Sequence, residues 1–463
     1  MIDFKNISNL YFIGIGGIGM SALARFARFE GKCVAGYDLT ETDLTRELSS
    51  DGIDIHYTDN VQAIPATFTP QNTLVVRTPA VPATHAELNH LIEKGFAVVK
   101  RSELLGFLTQ GKTCLAVAGT HGKTSVSTMI AHLLHSGNQM AGAFLGGISR
   151  NFGSNLVLPQ NNSQLVVAEA DEFDRSFLQL HPAVAVITSI DADHLDIYGT
   201  HQAIFEAFEA FINNIEPNGL LVLKAGVEIS TTHRPDIKVL TYSIDGEADV
   251  CVQNLKIINS YYHFDMLTPW GTYNNLEVHY PGRVNVENLV AATVVALHCG
   301  CSEDAIRKGL ATYKGVQRRF DIRYKSDNVL YVDDYAHHPA ELLATIKSVR
   351  ELYVGKRILG VFQPHLYSRT RDFAAEFAQS LDLLDEAVLL PIYPARELPI
   401  EGVTSEMILG FMTNSFKQVV MPDMLISFLE KASFDVLLTM GAGNIDRWSA
   451  PICELLKTKV GNQ

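Results

Sequence analysis

Short apolar runs that stop at polar or charged clusters recur along this chain, with helix-length stretches between most of them. Up to about residue 106 the runs are "NLYFIGIG", "CVAGYD", "TLVVRTP" and "FAVVKR". Strands of a parallel sheet need crossover helices and, buried on both faces, read as continuous apolar runs, so this segment predicts βαβ units. From roughly 318 the pattern returns in "NVLYVDDYAHH", "RILGVFQPH", "AVLLPIYPA" and "DVLLTMGAGNID". The carboxyl ends of parallel strands share one edge, and ligands bind there. The residues that close these runs are therefore the first candidates for chemistry.

The middle of the chain is mixed. "TCLAVAGT", "QLVVAEAD" and "VAVITSID" read as buried strands, whereas "KVLTYSIDG", "YYHFDML" and "TYNNLEVHY" alternate apolar and polar residues between Gly, Asn and Asp turns. That alternation predicts antiparallel strands, followed by a helix over "VNVENLVAATVVALHCG". A chain of 463 residues, 47% hydrophobic, divides into units of about 150 residues each. The boundaries fall at 1–106, 107–317 and 318–463.

Composition excludes several function classes. With 51 acidic and 37 basic residues and a net charge of −14, and no Lys/Arg block, general affinity for nucleic acid has no electrostatic basis. No apolar run reaches the roughly 18 residues of a membrane span, and "MIDFKNISNL" lacks the basic start of a signal peptide. The six cysteines form no CxxC pair, and Cys299 and Cys301 lack a second pair to complete a zinc site. A reduced, cytosolic setting is expected.

"LAVAGTHGKTSVSTMIAHLL" carries the densest chemistry. The usual phosphate loop has a glycine, four intervening residues and Gly-Lys-Ser/Thr; here Val117 stands where the first glycine should be, so the loop is short. The physical parts are nonetheless present. Gly119 and Gly122 permit a tight turn, Lys123 can reach phosphates, Thr124 can ligate Mg²⁺, and a helix begins behind them. Two further strand ends, at Glu169 in "VVAEADEFD" and His194 in "ITSIDADHLD", offer metal ligands. Nearer the amino terminus, "YFIGIGGIGMSALARF" gives GxGxxG through Gly14, Gly16 and Gly19, with Asp38 closing the next strand. This dinucleotide fingerprint lets a diphosphate approach a helix N-terminus and offers an acid to ribose hydroxyls; NAD and any other nucleoside diphosphate satisfy it equally.

Nine blocks in order make a more specific pattern: "GIGGIGMSALA" (14–24), "GTHGKTS" (119–125), "AEADEFDRSF" (168–177), "DADHLDIYG" (191–199), "VNVENLVAA" (284–292), "QRRFD" (317–321), "DDYAHHPAE" (333–341), "FQPHLYSRTRDF" (362–373) and "TMGAGNID" (439–446). Over essentially its whole length the chain resembles the Mur ligases, most closely the branch that adds L-alanine to UDP-N-acetylmuramate. The resemblance implies an α/β protein of three domains: a Rossmann-like UDP-binding domain, a P-loop-type mixed-sheet ATPase domain and a C-terminal Rossmann-like domain. It implies ATP and Mg²⁺, and a monomer or homodimer. Residues 119–125 (Gly119, Thr120, His121, Gly122, Lys123, Thr124, Ser125) would hold ATP, helped by Asn288, Arg319 and Asp334. Gly14, Gly16, Gly17, Ile18, Gly19 and Asp38 would hold the UDP-sugar rather than NAD. Thr124, Glu169 and His194 would place the metal, and Tyr335, His337, His365 and Arg369 would shape the amino-acid and acyl-phosphate end, with Lys123, His337 and Arg369 catalytic. The chain departs from the pattern twice. No lysine lies between Lys123 and Lys224, where sister ligases carry a carbamylated one, and Leu366 stands where many relatives have arginine, leaving Arg369 and Arg371 to supply positive charge. A related ligase adding a tripeptide or another amino acid is the alternative.

Overall fold

The computed structural model describes residues 4–191, 198, 200–395 and 397–461. Three sheets carry the chain. The first is wholly parallel, in the order Asp54–His56, Cys33–Tyr37, Asn9–Ile13, Thr73–Arg77, Ala97–Lys100. Its central strand is buried along its whole length, because helices cover both faces of a doubly wound sheet.

The second sheet has ten strands, in the order Gly271–Val278, Tyr261–Thr268, Val250–Ile258, Lys238–Ser243, Leu220–Lys224, Val184–Ile187, Thr113–Ala118, Leu165–Glu169, Gly142–Phe144, Leu156–Val157. From Lys238–Ser243 to Gly142–Phe144 successive neighbours are parallel. "KVLTYS" was expected to pair antiparallel but runs parallel to Leu220–Lys224. Its alternation reports one partly exposed face, and a period of two says nothing of a partner's direction. The third sheet runs Asp321–Lys325, Leu330–Asp334, Val436–Met440, Ile358–Phe362, Glu386–Leu389, Lys417–Val419, with only the first pair antiparallel.

The chain groups into two compact units: Met1–Asn254 with Phe264–Leu276 and Glu287–Tyr313, and Leu255–His263 with Glu277–Val286 and Lys314–Gln463. The first sheet and most of the second therefore share a unit, and the reason is packing. One apolar core runs from Leu10 and Phe26 through Leu104 to Cys114 and Phe208; the Phe26 and Phe144 rings lie 4.8 Å apart. A Cβ on Gly106 would come 2.7 Å from the Gln179 carbonyl oxygen, so glycine there lets the helix Arg101–Thr109 lie against the 3-10 turn Phe173–Gln179. The second unit has its own core, around Tyr331, Leu359, Leu437 and Ile452. Among the described residues no helix is long and apolar enough to cross a membrane.

Candidate active site

In the first unit three neighbouring parallel strands end together. Thr113–Ala118 pairs with Val184–Ile187 (Ala118 opposite Ile187) and with Leu165–Glu169 (Val117 opposite Glu169). Residues 119–122 thus emerge between 188–191 and 169–172. Gly119 adopts φ +134°, and a Cβ there would overlap Thr188 Oγ1 and lie 2.9 Å from the Ser189 nitrogen; Gly122 adopts φ +84°, with Asn288 Oδ1 3.0 Å from where its Cβ would stand. Both positions need glycine for conformation and for room. Asn288 is buried within the helix Arg283–His298, against the loop rather than at a helix cap.

The loop is braced from the 188–191 side. The Thr120 N–H donates to Ser189 O at 3.1 Å and the His121 N–H to Ser189 Oγ at 3.0 Å. The Thr188 hydroxyl donates to the His121 carbonyl, and the Thr120 hydroxyl lies 2.8 Å from the Ser189 hydroxyl and donates to Asp191 at 3.1 Å. Behind the loop the helix Lys123–Ser136 starts at Gly122 without a capping side chain. The N–H groups of its first turn, Thr124 and Ser125 included, have no intrahelical acceptor, and with the helix dipole they favour an anion.

Lys123 is turned into this structure. Its Nζ lies 2.8 Å from the Gly119 carbonyl oxygen and 2.9 and 2.8 Å from the two Glu172 oxygens. The ammonium donates to the Gly119 carbonyl and to one Glu172 oxygen, and the second Glu172 oxygen completes the ion pair. Burial alone would lower the Lys123 pKa, but Glu172, Asp171 and Glu169 outweigh it and hold the ammonium above the usual lysine range. These carboxylates therefore hold Lys123 as a cation.

Glu169, at the neighbouring strand end, accepts the Gly146 N–H at 3.0 Å. A Cβ on Gly146 would fall 2.5 Å from the Glu169 Cδ, so the missing side chain makes room for the carboxylate. A hydroxyl at Thr124 and a carboxylate at Glu169 are hard oxygen donors and fit a Mg²⁺ ion, which takes few protein ligands. His194 lies outside the described residues. Among the described residues no group of three or more His, Cys, Asp or Glu is arranged to hold a metal.

The amino-terminal glycine loop leaves Ile13 and turns at Gly14, φ +85°. The Gly14 and Ile15 N–H groups donate to Tyr37 O at 2.8 and 3.0 Å. The Gly16 N–H donates to Asp38 Oδ2 at 2.7 Å, and Asp38 Oδ1 accepts from Thr40 at 3.2 Å. Asp38 therefore pins the loop as well as closing its strand. Gly17 caps the helix Ile18–Phe29, again without a side-chain bond, which leaves a second open helix N-terminus beyond Gly16 and Ile18. Gly19 sits in its first turn.

The second unit gathers its predicted residues at the carboxyl edge of the third sheet. Asp334 ends its strand; its two oxygens accept the Phe320 and Ala336 N–H groups, each at 2.8 Å. Burial pushes its carboxyl up to about 6, against the pull of Arg319. The Arg318 and Arg319 guanidinium carbons stand 5.0 and 4.9 Å from the Tyr335 ring centre. His337 Nδ1 lies 3.0 Å from the Tyr335 carbonyl oxygen and 3.2 Å from Glu341. A carbonyl only accepts, so Nδ1 carries the proton and Nε2 of the neutral ring keeps its lone pair. Burial lowers the His337 pKa; Glu341 opposes this, and Arg369 and Arg319 add to it. The His365 ring is 6.1 Å from the His337 ring. Arg371 points away, 2.7 Å from exposed Asp372, so Arg369 is the arginine of that helix whose charge reaches His337.

Family models match three consecutive stretches: residues 9–113 the Mur ligase family catalytic domain, 117–296 the Mur ligase middle domain, and 318–443 the Mur ligase glutamate ligase domain. The chain is 48% identical to a UDP-N-acetylmuramate--L-alanine ligase of Parabacteroides distasonis, over 98% of each chain. It belongs to the Mur ligase family. A second relative of the same name, from Phocaeicola vulgatus, is 46% identical over 99% of this chain and all of its own. Among solved structures, the UDP-N-acetylmuramate-alanine ligase of Thermotoga maritima superposes with a TM-score of 0.79 at 27% identity, covering 97% of this chain and 99% of that one.

For this Mur ligase, sequence reasoning missed the partners that hold the loop 119–123 in place. Glu172 lies inside the quoted "AEADEFDRSF" block, three residues past Glu169, and Thr188, Ser189 and Asp191 follow the strand Val184–Ile187. The signal was available. In a parallel sheet the residues after neighbouring strands converge, so Thr-Ser-Ile-Asp after a buried run next to a phosphate loop marks loop braces.

Proposed function

We propose that this chain joins L-alanine to the lactyl carboxylate of UDP-N-acetylmuramate with ATP, releasing ADP and phosphate, in the synthesis of peptidoglycan precursors. The observation that carries this reading is 48% identity over 98% of both chains to a relative of that name. In the mechanism the carboxylate oxygen attacks the γ-phosphorus, the bond to the β,γ-bridging oxygen breaks, and ADP leaves an acyl phosphate. The alanine amine then attacks the acyl carbon, the C–O bond to phosphate breaks, and phosphate departs.

The loop Gly119–Ser125 is the proposed seat of the ATP phosphates, with Asn288 against it. Phosphoryl transfer asks mainly for positioning and charge neutralisation. Lys123, already cationic, exchanges one of its present oxygens for a phosphate oxygen. Mg²⁺, held by Thr124 and Glu169 with His194 as a further ligand, would offset charge on the β- and γ-phosphates. The glycine loop Gly14–Gly19 presents an open helix N-terminus to the UDP diphosphate. In the second unit the proposed roles are ribose and phosphate binding by Asp334 and Arg319, and amino-acid recognition by Tyr335, His365 and Arg369. His337 Nε2, neutral near pH 7, is the proposed acceptor for the ammonium proton of alanine. The enzyme is proposed to act in the cytosol, as a monomer or homodimer.

Phosphate release measured over a panel of amino acids and the tripeptide alternative tests the reading. Release requiring ATP, Mg²⁺, UDP-N-acetylmuramate and L-alanine together supports it. Release with a tripeptide but not with L-alanine defeats it.

A further inference from the structure

A cavity of about 310 Å³ in the first unit is lined by residues of both nucleotide-binding motifs: Gly19 from the glycine loop's helix, and Glu169 and Asp171 from the strand end beside the phosphate loop. Leu23 and Leu105 give it an apolar wall, and Arg101 is the one cation among the described residues that line it. Arg101 opens the helix Arg101–Thr109, and its side chain crosses the first turn of the helix Ile18–Phe29. A Cβ on Gly19 would stand 3.0 Å from Arg101 Cδ and 3.2 Å from Nη1. In the dinucleotide fingerprint the third glycine serves close packing of helix on strand. Here Gly19 has a different neighbour: it makes room for an arginine.

A diphosphate leaving the open N-terminus at Gly17 and heading toward Glu169 enters a cavity otherwise charged by two carboxylates. Its negative charge needs a counter-ion there, and a guanidinium beside the helix's first turn offers paired donors that match phosphate oxygens. We infer that Arg101 is a specificity-determining residue of the acceptor site, gripping the diphosphate of the sugar nucleotide as it passes from the glycine loop toward the phosphate loop, and that Gly19 is glycine so that Arg101 can reach it. The inference rests on the function proposed above.

Titration calorimetry with UDP and with UDP-N-acetylmuramate, alongside steady-state KM values, tests it. Arg101→Ala is expected to weaken both ligands by roughly tenfold or more, with KM for ATP and L-alanine within about twofold of the parent. Arg101→Lys should lose less, because an ammonium keeps the charge without the fork, and it serves if the alanine variant does not fold. Gly19→Ala should reproduce the loss by displacing the guanidinium. Unchanged binding of both ligands to the Arg101 variants overturns the inference. So does a loss confined to UDP-N-acetylmuramate with UDP untouched, since the guanidinium would then serve the sugar or lactyl end. Failure of the underlying reading shows separately, as parent enzyme with no phosphate release dependent on UDP-N-acetylmuramate and L-alanine.

Discussion

Lys123 illustrates how far a single residue could be read. Its place after Gly122 marked it as a phosphate ligand, but its partner Glu172 was missed, although the residues that follow neighbouring parallel strands converge. Lys123→Ala is expected to lower kcat by roughly a hundredfold or more while sparing UDP-sugar binding. It should also cost about 3 kcal/mol of stability, as breaking a buried pair does, measurable by urea unfolding. Retained turnover would remove the loop from the reaction. Gly119→Ala, forced to φ +134° against Thr188, should lose roughly 2 kcal/mol or more and its ATP affinity. His337 gives a pH test. A base must be unprotonated, and its pKa lies below the usual histidine value. The acid limb of kcat/KM should therefore fall below about pH 6.5, with a flat profile through neutrality, and should vanish in His337→Gln.

At the scale of elements, the parallel strands were legible because burial on both faces leaves unbroken apolar runs. Short strands such as Gly142–Phe144 and Lys417–Val419 were not, since three residues carry no period. The turn at 318–320 was also hidden. Arg318 and Phe320 adopt φ of +61° and +44° without glycine, held by the bond from the Phe320 N–H to Asp334 and by the Tyr280 hydroxyl donating to the Arg319 carbonyl. Asp334, read as a ribose ligand, is thus a fastening as well. Its folded-state pKa of about 6 exceeds the unfolded value of about 3.9. The protonated form therefore favours folding below the unfolded pKa, and that contribution is lost as pH rises through 6. Urea titrations between pH 4 and 7 should show the parent losing stability relative to Asp334→Asn over that window; parallel curves would contradict the assignment.

For the molecule as a whole, three sheets and their order along the chain were readable, whereas the joining of the first sheet and most of the second into one unit was not. Nothing in the apolar runs says that Phe26 meets Phe144 or that Gly106 admits a neighbour's backbone. Calorimetry should show the consequence. UDP-N-acetylmuramate binds residues of the first unit only in the proposed reading, so it should raise the melting of that unit by linkage and leave a transition of the second unit in place. A uniform shift of every transition would argue against independent units.

The buried ion pair between Lys123 and Glu172 bears on inhibitor design. In the proposed reading, a compound that copies the triphosphate competes with the Glu172 carboxylate for Lys123, so its affinity is expected to be the difference between two ion pairs. A ligand that fills the loop while leaving that lysine at home avoids the exchange altogether, and neutral scaffolds there have an advantage that phosphate mimics lack.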